Sequence, residues 1–186
     1  ELQAQDQHGD RERAHNRVEQ LGGGAPEGDQ KIAAAQKHAD EAEILRGGML
    51  LSYGLHKEAG EIFARLIEKG AAPPVRDRAW FYLAKIRYQR GFIAQASDAM
   101  SRIEKNLPPA LEEDRLLLQA NLLMASGDYA GAAALLEGVA KDSPIGQYAR
   151  YNLGVALIKS GDAARGTEML DAIGQVDGVL KTTTSV

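Results

Sequence analysis

Cysteine is absent from this sequence of 186 residues, and aromatic residues make up only 5% of it. The lack of cysteine excludes disulfide frameworks, thiolate nucleophiles and cysteine-ligated zinc sites. No run of about 18 apolar residues occurs, so no segment is predicted to span a membrane. A basic excess is also missing, since the formal net charge is −4. Proteins that bind nucleic acid usually carry a strong basic excess, so nucleic acid is not predicted as a partner.

Motifs that carry out catalysis or bind phosphate are missing as well. The sequence has no G-x-S-x-G, no phosphate-binding loop and no H-E-x-x-H. Residues 22–24 are three glycines without a following lysine or a preceding strand pattern, so they are predicted to form a linker. His8 and His15 have no nearby carboxylate arrangement, and His38 lies in a charged cluster typical of a helix start. We therefore predict no enzyme activity, no cofactor and no metal site.

What the sequence does contain is an internal repeat. Four apolar stretches each end at a glycine, and these glycines are spaced by 37, 36 and 34 residues. Five positions after each glycine stands a small residue, with the same three spacings. Because the glycines and the small residues show the same spacings, they indicate structural repeats of about 35 residues. The glycines are Gly54, Gly91, Gly127 and Gly161, and the small residues are Ala59, Ala96, Ala132 and Gly166.

Each repeat is predicted to consist of two helices joined by a tight turn. In the third repeat, Leu116, Ala120 and Leu123 share one helical stripe. Gly127 can take the left-handed conformation that ends a helix, and Asp128 can cap the next helix, over residues 131–141. Small residues let two helices cross closely. The pairs expected to face each other are Gly47 and Ala59, Ala84 and Ala96, Ala120 and Ala132, and Gly154 and Gly166.

These units resemble the tetratricopeptide repeat (TPR), whose signature is W-x2-L-G-x2-Y, then A-x3-F, then P. The second repeat carries the resemblance with Trp80, Leu83, Ala84, Ala96, Met100 and Pro108. Arg87 stands where an aromatic residue is usual and Glu43 where tryptophan is usual, so the signature is blurred while the spacing persists. The resemblance covers roughly residues 40–174. It implies an all-α protein, an α-solenoid wound as a right-handed superhelix of about four repeats.

The resemblance also implies an adaptor without an active site. In TPR proteins the first helix of each repeat lines a concave groove that binds a protein or peptide. The residues expected to bind a partner here are Arg78, Phe81, Lys85, Tyr88, Leu117, Asn121, Met124, Tyr148, Tyr151 and Val155, with Ile44, Leu51 and Ile158 beside them. Such a groove suits an amphipathic helix or an extended peptide. Alternatively, the chain is a structural segment of a longer solenoid, with its faces covered by neighbouring repeats of the same protein.

Some TPR proteins hold the C-terminal carboxylate of a chaperone with paired lysine and asparagine side chains. Lys85 and Asn121 would suit this role, but Phe81 and Leu117 occupy the positions one turn earlier where such a clamp needs lysine and asparagine. We therefore predict a different ligand. Residues 79–91 are also similar to TPR segments of proteobacterial envelope proteins, which favours a bacterial periplasmic or envelope location over the cytoplasm.

Outside the repeats the composition changes. Residues 1–39 are predicted to form a polar helix and a Gly-rich linker, or a degenerate repeat, with a helix resuming near Gln30. The repeat array covers residues 40–174, and residues 175–186 are predicted to be a C-terminal tail. In it, Val176, Val179 and Leu180 can form a short turn over the fourth repeat, but no full capping helix is expected and residues 181–186 favour no helix. The outer face of the fourth repeat, with Leu157, Leu170 and Ile173, would then be incompletely covered. A second copy of the chain bound through this C-terminal repeat, a partner or further chain is expected to cover it.

Overall fold

The computed structural model of the protein describes residues 27–139, 143 and 145–183. Within these residues all regular structure is helical, and no strand is present. The helices are α1 (Glu27–Ser52), α2 (His56–Glu68), α3 (Pro73–Gln89), α4 (Ile93–Ser101), α5 (Pro109–Ala125), α6 (Tyr129–Leu136), α7 (Gly146–Ser160) and α8 (Ala163–Thr183). The prediction of an all-α solenoid built from helix-turn-helix repeats is confirmed.

The chain divides into two compact units, residues 1–39 and residues 40–186. The described part of the first unit, residues 27–39, is the exposed beginning of α1. Glu27 and Asp29 lie in its first turn, where carboxylates interact favourably with the helix dipole, and Lys31 pairs with Glu27 at 2.8 Å. Residues 27–29 are therefore helical, although they were expected in the linker. The predicted polar helix of residues 1–21 lies outside the described residues.

In the second unit the helices pair into four repeats, each with a first and a second helix joined by a turn. The repeated glycines take positive φ angles in these turns, for example 88° at Gly127 and 107° at Gly161. Glycine adopts this conformation without a steric penalty, which accounts for its recurrence at this position. Asp128 Oδ1 accepts a hydrogen bond from the backbone amide of Gly131 at 2.9 Å. The predicted cap of α6 is therefore confirmed.

Small residues mark the points where the two helices of a repeat cross. In the second and third repeats, the paired alanines are fully buried, namely Ala84, Ala96, Ala120 and Ala132. In the fourth repeat, a Cβ atom on Gly166 would lie 2.6 Å from the carbonyl oxygen of Gly154, so the two backbones touch. In the first repeat, Gly47 instead makes room for the ring of Phe63, so the expected pairing with Ala59 is replaced by packing of an aromatic side chain.

Among the described residues the hydrophobic core is divided into three clusters, one at each junction between consecutive repeats. One charged side chain is completely buried among them, that of Asp77 on α3. Its Oδ2 atom accepts hydrogen bonds from the backbone amides of Glu104 and Asn106, both at 2.9 Å. Asp77 therefore ties α3 to the loop between α4 and α5.

Two helices differ in length from the prediction. α6 ends at Leu136 rather than at residue 141. α8 continues past Gly174 to Thr183. An isolated glycine costs only about 1 kcal/mol relative to alanine, and no proline follows to break the helix. The expectation of no more than a short turn after Gly174, and of no helix from Lys181 on, is therefore wrong through Thr183. Leu157 is also buried, and Leu170 and Ile173 are half-buried, rather than being the uncovered residues of the fourth repeat.

Candidate functional site

The first helices of the four repeats can be compared position by position, counting back from the glycine that ends each of them. Three positions recur on one side of each helix, since residues three or four apart share a helical face. We call these positions the cleft stripe. Thirteen positions before the glycine stand Glu41, Arg78, Asp114 and Tyr148; nine before it stand Leu45, Tyr82, Leu118 and Asn152; six before it stand Gly48, Lys85, Asn121 and Val155.

A second stripe faces the following repeat, and we call it the junction stripe. Its members lie ten and three positions before the same glycine, namely Ile44, Phe81, Leu117 and Tyr151, and Leu51, Tyr88, Met124 and Ile158. Phe81 is only 1% exposed and packs with Leu118 and Leu122 of α5. Tyr88 packs half-buried against the same cluster, and Leu117 and Met124 pack half-buried against the cluster at the next junction. The prediction that Phe81 is exposed to a partner is therefore wrong, because this helical position points into the repeat junction.

The cleft stripes of α1 and α3 line an open cleft of about 510 Å³. α1 contributes Ile44, Leu45, Gly48, Leu51 and Ser52, and α3 contributes Arg78, Tyr82, Lys85 and Gln89. Of the predicted binding residues, the structure brings Arg78 and Lys85 together here. Tyr82 takes the place expected for Phe81. Leu45 and Tyr82 both lie nine positions before the repeated glycine, and Gly48 and Lys85 both lie six before it. This register is the signal that would have identified Leu45, Gly48 and Tyr82.

The two cations of the cleft differ in their surroundings. Arg78 Nη2 bonds to both carboxylate oxygens of Glu41 at 2.6 Å, and Arg78 Nε donates to the carbonyl oxygen of Pro74 at 3.1 Å. This guanidinium is thus held in place and its charge is compensated. Lys85 is half-buried and forms no ion pair with any residue that the structure describes. Lys85 is therefore the uncompensated charge of the cleft.

Tyr82 forms the floor of the cleft between these two cations. Its ring stacks on that of Phe63, with centroids 5.0 Å apart and an angle of 22° between the planes. Burial raises the pKa of the Tyr82 hydroxyl; Arg78 counteracts this shift and Asp114 adds to it. At neutral pH the hydroxyl therefore stays protonated and can donate a hydrogen bond to a ligand.

The remaining predicted residues lie on α5 and α7. Asn152 Nδ2 donates a hydrogen bond to Asn121 Oδ1 at 2.7 Å, which links the cleft stripes of these two helices. Val155 is half-buried and Tyr148 is exposed on the same stripe of α7. Tyr151 is 56% exposed and belongs to the junction stripe. None of these five side chains lines the cleft between α1 and α3.

No group of three or more His, Asp or Glu side chains is placed to hold a metal ion within residues 27–139, 143 and 145–183. None of the helices described is long and apolar enough to cross a membrane.

The sequence of the last repeats is similar to that of a known family. The tetratricopeptide repeat family model matches residues 123–178, from the end of α5 into α8. Over these residues the sequence is that of a tetratricopeptide repeat. No curated protein sequence matches it.

Solved structures extend the likeness over the rest of the TPR array. The crystal structure of MamA protein matches with a TM-score of 0.59 and 16% identity, over 96% of this chain and 92% of that chain. A Podosopora anserina protein named as a kinesin light chain, with nearly identical TPR-like repeats, matches with a TM-score of 0.54 and 16% identity, over 81% of this chain and 84% of that chain. The crystal structure of a variant of that protein matches with a TM-score of 0.56 and 17% identity, over 84% of this chain and 85% of that chain. TPR folds are typically scaffolds for protein–protein interaction rather than enzymes.

Proposed function

We propose that the chain is a protein-interaction scaffold that binds a segment of a partner protein in the cleft between α1 and α3. The observation that carries this proposal is the unequal compensation of charge in the cleft. Arg78 is neutralised by Glu41 at 2.6 Å, whereas Lys85 has no such partner among the described residues. Charge complementarity between surfaces supports both specificity and rapid association. The cleft therefore favours an acidic side chain at Lys85.

The chemistry of the walls indicates what else the partner carries. Leu45 and Leu51 offer apolar surface on α1, and the polar groups of Ser52 and Gln89 can hydrogen-bond to a peptide. A volume of about 510 Å³ holds a few side chains rather than a whole domain. A helix or extended segment with one large apolar side chain close to an Asp or Glu matches this combination.

The cleft is also prepared for binding before a partner arrives. The ring of Tyr82 is packed on Phe63, and Arg78 is held by Glu41 and by the backbone of Pro74. A surface that is already ordered loses little conformational entropy when it binds, and this improves affinity. These contacts support a binding role for the cleft over a purely structural one, because they fix its walls while leaving it open.

The test uses a phage-displayed library of random peptides selected on the intact chain. We expect enriched peptides to share an Asp or Glu near a large apolar residue. For such a peptide, Lys85→Glu should weaken binding by about tenfold or more in fluorescence anisotropy, because it replaces attraction with repulsion. Leu45→Asp should weaken it as well, and added salt should weaken binding to the wild type but not to Lys85→Glu.

A matched control separates the cleft from general surface charge. Lys57 is exposed on α2, so Lys57→Glu makes the same change of charge outside the cleft. Peptide binding that is unchanged in Lys85→Glu, or equally weakened in Lys57→Glu, would contradict the proposal. A selection that enriches no peptide above an unrelated protein would contradict it too.

A further inference from the structure

The first described repeat exposes a position that the other repeats bury. Met49 on α1 lies five positions before Gly54, and it is 57% exposed. Its counterparts in the later repeats are Ile86 at 4%, Leu122 at 5% and Ala156 at 0%. Those three residues are buried because each packs on the preceding repeat. Met49 occupies the position that would pack on a preceding repeat, and no described residue covers it.

The fourth repeat shows the opposite half of the same contact. Tyr151 is 56% exposed and Ile158 is 37% exposed on the junction stripe of α7. At the position of Tyr151, Ile44 and Phe81 are each 1% exposed, because the first helix of a following repeat covers them. At the position of Ile158, Leu51, Tyr88 and Met124 are half-buried. Tyr151 and Ile158 therefore form the face that a following repeat would cover.

The internal junctions show which residues would meet across these two faces. At the first junction, a Cβ on Gly60 of α2 would lie 4.0 Å from Leu83 and from Ile86 of α3. At the second, Ser97 and Ser101 of α4 line one cleft with Gln119 and Leu122 of α5. In the same register, Thr167 and Asp171 of α8 correspond to Ser97 and Ser101. Arg46 and Met49 of α1 correspond to Gln119 and Leu122.

The two outer faces also carry charged residues of opposite sign. At the second junction the facing residues Gln119 and Ser101 are uncharged. On the outer faces they are Arg46 on one side and Asp171 on the other, with Glu168 beside it in an open depression on α8. None of these three residues forms an ion pair within the described part of the chain. The two outer faces are therefore complementary in charge as well as in register.

We propose that the occupant of each face is a second copy of this chain, bound head to tail. The Met49 face of one copy packs on the Tyr151 face of the next, and Arg46 of the first lies beside Asp171 and Glu168 of the second. The contact reproduces the internal repeat junction between two molecules. Because the two faces are different, the interaction is not closed by twofold symmetry and can continue along a row of copies. This proposal uses residues outside the cleft between α1 and α3 and does not depend on partner binding there.

Analytical ultracentrifugation of the intact chain tests it with two variants, Met49→Asp and Tyr151→Asp. Both positions are exposed, so the variants should keep the helical circular dichroism spectrum of the wild type. The weight-average mass of the wild type should rise with concentration beyond that of a dimer. Each variant alone should remain monomeric, because each lacks one of the two faces. An equimolar mixture should form a 1:1 dimer and nothing larger, since one intact face of each kind remains.

The charged contact has its own test. Arg46→Glu should lower association at least severalfold, and combining it with Glu168→Arg and Asp171→Arg in the same chain should restore it. A wild type that stays monomeric at all concentrations would overturn the proposal and leave the faces to further repeats or to another protein. A dimer that forms equally in both single variants would also overturn it. So would a mixture that does not associate.

Discussion

Replacement of Gly166 by alanine probes the closest contact between the two helices of a repeat. The added Cβ atom would lie 2.6 Å from the carbonyl oxygen of Gly154 and 2.9 Å from the backbone nitrogen of Ile158. These atoms belong to the backbone of α7, so they cannot turn aside as a flexible side chain can. Gly166→Ala should therefore push α8 away from α7.

The magnitude follows from two opposing effects. Overpacking of a close contact costs about 1–3 kcal/mol. Alanine in place of glycine inside a helix returns about 1 kcal/mol, because it reduces the conformational freedom of the unfolded chain. We expect a net loss of up to about 2 kcal/mol in the free energy of unfolding. For a chain of this size each kcal/mol lowers the melting temperature by about 2–4 °C.

Gly48→Ala is the matched control, because it makes the same chemical change inside α1. No atom lies within 4 Å of the Cβ position at Gly48. This substitution should stabilise the protein by about 0.5–1 kcal/mol. Urea unfolding followed by circular dichroism measures both variants against the wild type. If both substitutions stabilise the protein equally, α7 and α8 do not cross as closely as the structure shows, and the reasoning fails.

Three further predictions concern stability. Asp77→Ala should lower the free energy of unfolding by about 2–3 kcal/mol in urea unfolding, because two backbone amides lose their hydrogen-bond acceptor. Asp77→Asn should lower it less, because the side-chain amide oxygen can still accept a hydrogen bond. Equal losses in the two variants would contradict this account. Ala132→Leu should cost about 1–3 kcal/mol by separating α5 from α6, whereas Glu137→Gln removes an exposed ion pair and should cost no more than about 1 kcal/mol in the same experiment. The pKa of Lys69 is raised by its hydrogen bond to the buried carboxylate of Asp40, and burial raises the pKa of Tyr82. A group whose pKa is raised in the folded state stabilises the protein below its unfolded-state pKa. That stabilisation is lost as the pH rises through the folded-state pKa. The melting temperature should therefore fall as pH rises above about 10, and it should fall less in Lys69→Met combined with Tyr82→Phe; a decline equally steep in this variant would refute the assignment.

The positions of the repeats could be predicted from the sequence because glycine is required where the backbone turns left-handed. Gly127 and Gly161 have that conformation, and Asp128 caps the helix that follows. The close packing of α7 and α8 could also be predicted from Gly154 and Gly166, because only a residue without a side chain fits at these positions. These features depend on local backbone geometry, and local geometry restricts the choice of amino acid strongly.

The face to which each aromatic residue belongs could not be predicted in the same way. Phe81 and Tyr82 are neighbours, and either can lie on an apolar stripe of α3 with a spacing of three or four residues. Which of them enters the junction depends on the angle at which α3 packs between α1 and α5, and this is a tertiary property. The length of α8 was also missed, because a helix tolerates isolated glycines when no proline follows them.

The most direct measurement of the central claim is chemical-shift mapping by NMR during titration with a peptide selected from the library. We expect the largest changes in backbone and side-chain signals at Leu45, Gly48, Tyr82, Lys85 and Gln89, with little change on the second helices α2, α4 and α6. The same titration of Lys85→Glu should show much smaller changes. Large changes confined to the second helices, or changes in the cleft that persist unaltered in Lys85→Glu, would contradict binding in the cleft between α1 and α3.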